Sequence, residues 1–362
     1  MKICYIANGQ SVHAWKWVRY FADRGHDVHL VTFDKTEGIE GVNVQNLRYF
    51  SKLAYPFRII EVEKAVKKID PDLLHAHYIT HHGMYGALTG FRPFVVTAYG
   101  SDVLIDPKKS MIKKYVVKHV LRKADLITCD AEHMKEAIEK LGADPEKIRL
   151  INFGIDTRKF KPEARSEEVR AKLGVDESPT VISLRNLGPL YDVESLVKAI
   201  PIVLKEIPES KFVIGGRGPE ETRLKELAKS LGVSEKAKFV GFIPNDELPH
   251  YLNSMDVYVS TALSDAGISA CTAEAMACAL PVVITDVADN RKWVEDDVNG
   301  FLVPAKDPKA LAGKIVYLLR NEEVRRKFGE INRKIIEEKN DYYREMAKMG
   351  DIYQELVKRP EK

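Results

Sequence analysis

The sequence predicts an α/β protein made of two doubly wound domains, each built on a parallel sheet. Three observations carry this. Short continuous apolar runs alternate with amphipathic stretches along the chain, as expected for strands buried on both faces beneath covering helices. The alternation stops once, at the polar segment FGIDTRKFKPE over 153–163, and then restarts. The length of 362 residues exceeds what one ordinary core supports.

In the first series, strands are expected over 2–7, 28–33, 42–47, 73–77, 94–97, 126–129 and 148–152. Helices are expected over 13–24, closed by Gly25 just past its end, and over 113–122 and 132–141. Residues 153–163, with Gly154 and Pro162 as breakers, read as the interdomain linker. The second series places strands over 180–184, 211–214, 238–240, 257–259, 282–285 and 301–303. Its helices are expected over 193–207, 220–231, 246–252 and 308–320, with helical sequence from Glu322 to Lys358. The domains are accordingly 1–155 and 156–335, followed by a terminal helical segment over 336–362. Glycine turns at strand ends would meet in one facing crevice, where ligands of open parallel sheets bind.

Composition narrows the classes. A net charge of +3 gives no electrostatic ground for nucleic-acid binding. Cys4, Cys129, Cys271 and Cys278 lie in apolar or small-residue segments without a Cys-x-x-Cys pair, as in reduced core thiols of a cytoplasmic protein. The opening MKICYIANG carries too short an apolar run for a signal peptide. No stretch approaches the roughly 20 apolar residues of a membrane span.

The most informative stretch is SDAGISACTAEAMACALP over 264–281. Gly267 breaks the chain after a strand, Ser269 stands as an N-cap, and a helix of small residues follows to Ala279. So slight a helix can lie close to a sheet and aim its amide groups and positive dipole at a phosphate. Glu274, in the second turn, suits ribose hydroxyls. A tightly packed core helix with Glu274 in a structural hydrogen bond fits the same residues. Gly215, Gly216, Arg217 and Gly218 form a strand-to-helix turn that lets backbone approach an anion, or that simply needs positive φ. Arg185 follows a strand end, where its fixed fork suits a diphosphate or a salt bridge. Gly9 after the first strand reads as half a phosphate loop or a plain tight turn. His75, His77, His81 and His82 cluster at a strand end without a Cys or carboxylate at ligand spacing, so no metal is expected. His77 is placed to touch a ligand hydroxyl, and His75 to lie in the core. Lys113, Lys114, Lys118 and Arg122 recur at helical spacing opposite Ile112, Val116 and Val120. That face suits peripheral contact with an anionic membrane, or only solvent.

Across nearly the whole chain the sequence resembles a glycosyltransferase of family 4. The resemblance rests on SVHAWKWVRYFADRGHDVHLVT, DLLHAHY, VVTAYGSDVL, INFGIDTRKFKP, AEAMACALPVVITD and VNGFLVP. It implies the GT-B fold of two facing Rossmann-like domains with an interdomain cleft. It implies a hexosyltransferase that moves a sugar from a nucleotide-sugar donor, UDP- or GDP-linked, to a hydroxyl of a glycan, lipid or small-molecule acceptor. Retention at the anomeric carbon, no metal and no other cofactor are implied as well. The donor would sit in the C-terminal domain, the acceptor mostly in the N-terminal one, and the terminal helix would cross back to the latter. A cytoplasmic location follows, at most peripheral to the inner membrane face.

By the same resemblance Glu274 matches the second Glu of the E-x7-E motif, which holds the donor ribose. The first Glu falls on Ala266, and Asp265 is the nearest carboxylate. Gly267, Ile268, Ser269 and Ala270 match the loop and helix start at the donor. Arg185 matches the diphosphate arginine, with Tyr191 where a lysine is usual, and Arg217 and Gly216 stand beside them. Phe242 and Ile243 match backbone that reads the base edge. Asn8-Gly9 replaces the usual Gly-Gly, and Tyr99 replaces a frequent histidine. Tyr99, Ser101 and Asp102 then line the acceptor side, with His77. A non-hydrolysing nucleotide-sugar 2-epimerase shares this fold, and an inactive nucleotide- or sugar-binding homologue fits the departures at Ala266, Tyr191 and Tyr99.

Overall fold

The computed structural model describes residues 1–36, 38, 40–47, 58–265 and 267–358. The chain divides into two compact units, one of Met1–Phe153 together with the segment from Tyr343 onward, the other Gly154–Tyr342.

The first unit alternates strands and helices: β1 (Lys2–Ile6), α1 (Val12–Ala22), β2 (Asp27–Thr32), β3 (Val42–Asn46), α2 (Arg58–Ile69), β4 (Leu73–His77) and α3 (Met84–Thr89). It continues through β5 (Phe94–Thr97), α4 (Ser101–Leu104), α5 (Asp106–Lys109), α6 (Met111–Lys123), β6 (Leu126–Cys129), α7 (Glu132–Lys140) and β7 (Ile148–Leu150). The seven strands run in the order β3-β2-β1-β4-β5-β6-β7, with every pairing parallel. Strand β1 pairs with β2 on one side and β4 on the other, so the winding reverses beside it. Ligands of open α/β sheets bind at the carboxyl ends of strands flanking such a reversal. The core joins Cys4, Ile6, Leu74, Val96 and Ile127 of the sheet to Val62, Val66, Val120 and Leu121 of the helices.

The second unit contains α8 (Glu167–Leu173), β8 (Thr180–Leu184), α9 (Val193–Glu206), β9 (Lys211–Gly215), α10 (Glu221–Ser230), β10 (Ala237–Gly241) and α11 (Leu248–Asn253). Then come β11 (Val257–Ser260), α12 (Ala270–Ala277), β12 (Val282–Thr285), β13 (Gly300–Val303), α13 (Pro308–Arg320) and α14 (Glu322–Lys339). Its six strands follow the order β10-β9-β8-β11-β12-β13, again all parallel, and reverse between β8 and β11. Two apolar clusters cover the two faces of this sheet.

Three differences from the sequence reading have physical causes. Helices α2 and α3 were not expected; α3 follows a π-helical turn over Ile79–Gly83 that hides the ordinary helical period. Helix α12 ends before Ala279, which takes a left-handed φ of 58°. The terminal helical run is two helices, because α15 (Tyr342–Lys358) starts anew after Asn340 and Asp341. There the second unit's own ends are pinned together. Ile155 N donates to the Asn340 carbonyl at 2.7 Å, and Tyr342 N donates to the Ile155 carbonyl at 2.9 Å. Gly154 sits at φ +71°, where an added Cβ would lie 2.4 Å from the Tyr342 Cα, so only glycine fits.

Within the first unit, α15 packs on the sheet through a buried polar chain. The Tyr353 hydroxyl bonds His75 Nδ1 at 2.5 Å and the Tyr5 hydroxyl at 3.2 Å. His75 Nε2 continues the chain to Thr97 Oγ1 at 2.7 Å.

Candidate active site

Arg185 leaves the carboxyl end of β8 beside the reversal of the second sheet, and its side chain is buried. Nη2 pairs with Asp265 Oδ1 at 2.5 Å, with the two side chains 6% and 9% exposed. The guanidinium carbon stands 4.7 Å from the centre of the Tyr191 ring, a cation–π geometry. Nε is buried with no hydrogen-bond partner among the described residues. Two residues assigned separately to the reaction thus form one ion pair. Tyr191 supplies a π face to the guanidinium and no second charge. Burial raises the Asp265 pKa while Arg185 opposes that rise.

The glycine turn after β9 packs against the same segment. A Cβ on Gly216 would meet the Arg185 carbonyl at 2.0 Å, and one on Gly218 the Leu187 carbonyl at 2.3 Å. These glycines therefore allow two backbones to approach each other. The Gly216 amide donates to the Gly241 carbonyl at 2.7 Å, so it is engaged within the fold and not presented to a ligand. Arg217 is exposed. Phe242 is 68% exposed, whereas the Ile243 side chain is buried; both border a groove of 320 Å³ with Pro244 and Tyr251.

Past β11, Gly267 takes φ +73° and the chain enters α12. Ser269 caps the helix, its Oγ accepting from Thr272 N at 3.3 Å. Ile268 is half-buried, Ala270 is exposed at the first position, and Glu274 is buried. Ala266, where the first motif carboxylate would fall, lies outside the described residues. Small residues along α12 serve a second purpose. Helix α14 lies close by, its Gly329 having room for no Cβ beside the Ala279 carbonyl, which such an atom would meet at 2.0 Å.

At the reversal of the first sheet, the residues named from sequence divide. Gly9 N donates to Thr32 Oγ1 at 2.9 Å and its carbonyl accepts from Trp15 Nε1 at 2.7 Å. That glycine closes its own turn and offers no amide to a phosphate. His77 Nδ1 bonds the Tyr99 hydroxyl at 2.8 Å, while Nε2 is buried without a partner among the described residues. Burial, with His82 and His13 nearby, pushes His77 down to about 3, so it is neutral near pH 7. Burial raises the Tyr99 hydroxyl, which stays protonated. Asp102 is fully buried, contrary to a place lining an acceptor. Its oxygens accept from Ile79 N at 2.8 Å and Tyr99 N at 3.0 Å, and burial lifts it to about 6. It braces the loop that carries Tyr99. Sequence reasoning missed Tyr78, held at φ +79° at the end of β4 with its hydroxyl 3.0 Å from Ser101 Oγ. No sequence signal marks a tyrosine for that strained backbone.

Helix α6 also differs from expectation. Val117, Val120 and Leu121 make its buried face, while Met111, Ile112 and Tyr115 are 78%, 77% and 68% exposed. Ile112 therefore lies outside the apolar face assigned to it. Lys113 pairs with Asp106 at 2.7 Å; Lys118 and Arg122 are exposed, and Lys114 is half-buried. No helix among the described residues is long and apolar enough to cross a membrane. Among them, no group of three or more His, Cys, Asp or Glu is arranged to hold a metal ion.

Comparison with known proteins places this arrangement. Residues 165–335 match the family of glycosyl transferases group 1, and residues 2–131 match the glycosyl transferase 4-like family. The chain is a glycosyltransferase. Among its relatives in sequence is the N-acetyl-alpha-D-glucosaminyl L-malate synthase of Bacillus anthracis, 22% identical, with 98% of this chain and 96% of the relative covered. The D-inositol 3-phosphate glycosyltransferase of Acidothermus cellulolyticus is 27% identical, over 87% and 79%. Among solved structures, Anabaena HepE in complex with UDP superposes with a TM-score of 0.83 at 20% identity, covering 98% of this chain and all (100%) of that one. HepE with UDP-glucose gives 0.81 over 98% and 100%, also at 20%. The fold of this glycosyltransferase is therefore GT-B. The two family matches meet the two sheets, and the group 1 match contains the whole Arg185 to Glu274 cluster.

Proposed function

We propose that the chain transfers a sugar from a nucleotide-sugar donor to an acceptor hydroxyl, with retention at the anomeric carbon and without a metal. The observation that carries this reading is the buried Arg185 at the sheet reversal, paired with Asp265, which precedes the start of α12 by five positions. As the anomeric carbon parts from the diphosphate, negative charge grows on the leaving oxygen. Arg185, Arg217 and the α12 amide groups are suited to that charge. The acceptor oxygen bonds the anomeric carbon on the face the diphosphate leaves, and its proton passes to a donor phosphate oxygen. Glu274 is assigned to the ribose, and Tyr99 and Ser101 to the acceptor side. His77, neutral and bonded to Tyr99, orients that hydroxyl.

UDP and UDP-glucose in HepE make uridine diphosphate sugars the first donors to test. The exposed Met111, Ile112 and Tyr115, set among basic residues, support peripheral contact with an anionic membrane on the cytoplasmic side. Thermal-shift titration with uridine, guanosine and adenosine diphosphates tests the donor reading, since a bound nucleotide raises the melting temperature. No shift with any of them would refute it. Product analysis by NMR, in chelator, reads the anomeric configuration and the metal requirement. Donor incubated without acceptor separates a transferase from a 2-epimerase, which would return the epimerised donor.

A further inference from the structure

We infer that Asp265 is an internal stand-in for the donor diphosphate: it occupies Arg185 in the donor-free enzyme and must release it for the donor to bind. This rests on the assignment of Arg185 to the diphosphate. Three observations support it. First, the pair is end-on. One Nη meets one carboxylate oxygen at 2.5 Å, and Arg185 Nε stays buried without a partner among the described residues. A guanidinium fork matches its anion best through two parallel bonds, which this contact does not make and a phosphate group can. Second, Tyr191 covers one face of the guanidinium, its ring centre 4.7 Å away, and both paired side chains are at least nine-tenths buried. Asp265 and a diphosphate side by side at one such cation would repel each other at short range in a poorly screened setting. Third, the carboxylate has no other anchor: its hydrogen bond is to Arg185 alone among the described residues.

The pairing thus sets donor affinity by competition, as a fraction of molecules in the binding-competent state. It also keeps the arginine from standing buried and unpaired when no donor is present.

The test is calorimetric titration of UDP and GDP into the wild-type protein and Asp265→Asn, a neutral isostere that removes the negative charge competing for Arg185. The variant is expected to bind the better of the two diphosphates at least about fivefold more tightly. The donor KM should fall with it. In an Arg185→Gln background, Asp265→Asn should change affinity by less than about twofold, because nothing is left to compete for. Equal or weaker binding by Asp265→Asn, with wild-type binding intact, would overturn the stand-in and make Asp265 a donor contact or a positioning residue. In that case the diphosphate assignment itself survives. Absence of binding by either diphosphate to both proteins would overturn the two together. Matching circular dichroism and melting curves confirm that each variant is folded.

Discussion

Arg185 is a residue whose chemistry goes beyond its charge. A lysine there would keep the cation but lose the planar fork that suits a phosphate and the plane that rests on Tyr191. Arg185→Ala is expected to lower kcat about 100- to 1000-fold, the usual cost of removing one donor to developing negative charge. Arg185→Lys should recover only part of that. Initial rates at saturating donor decide, and unchanged turnover in Arg185→Ala would remove the residue from the reaction. Glu274→Ala should instead raise the donor KM more than it lowers kcat, as for a contact made equally in ground and transition states. The position of Arg185 was legible because it follows an apolar strand directly. Its partner was not, since Asp265 lies 80 positions away and only the adjacency of β8 and β11 brings them together. Asp102 misled for a related reason: a carboxylate in a polar loop looks outward until its oxygens are seen to hold two backbone amides.

Among the elements, α12 shows how one composition serves packing and chemistry together. Its alanines let α14 approach, and Gly329 completes the contact at the Ala279 carbonyl. Arg333 and Asn332 of α14 then donate to the Ala277 and Leu280 carbonyls at 2.9 and 2.8 Å, satisfying the end of α12. Gly329→Ala would raise intrinsic helix propensity, yet it is expected to destabilise the protein by about 1–3 kcal/mol through overpacking. Denaturant unfolding measures this, and a stabilised variant would show that α14 can move away. Helix α6 makes the opposite case, since its apolar Met111 and Ile112 stand exposed. Met111→Ser with Ile112→Ser should weaken binding to vesicles containing anionic phosphatidylglycerol, while rates on a soluble acceptor stay unchanged. Co-sedimentation reads the first, and equal binding by the double variant would refute membrane contact through this helix. On α6, Val116 and Val120 face the core as expected, and Ile112 alone was misplaced, because period cannot tell how far along a helix its neighbours extend.

For the whole molecule, the two units differ in how they should respond to acid. His75, His77 and His82 lie in the first unit, all depressed by burial, with His77 at about 3 and His82 at about 4. As pH falls below the ordinary 6.5, the unfolded chain takes up protons that the folded unit refuses, so stability falls. Asp102, raised to about 6, works the other way between about 6 and 4, since the folded unit protonates it first. His13, His26, His81 and His119 of the same unit are lowered too, and Asp106 with them, so against the raised Asp102 the unit loses stability as pH falls below roughly 6.5. The second unit has only His250. Hydrogen exchange along an acid titration should show the first unit opening before the second. Simultaneous opening would mean that the buried histidines do not govern acid stability.

The succession of strands and the two doubly wound sheets were written in local pattern. Buried parallel strands need continuous apolar runs, and their turns need glycine, so each announces itself within a few residues. Which polar group meets which was settled only when the sheets assembled. Asp265 on Arg185, Tyr353 on His75 and the Gly216 amide on Gly241 all join residues distant in sequence. Such partnerships depend on strand order and on the close approach of backbones, and neither has a period that a linear chain displays.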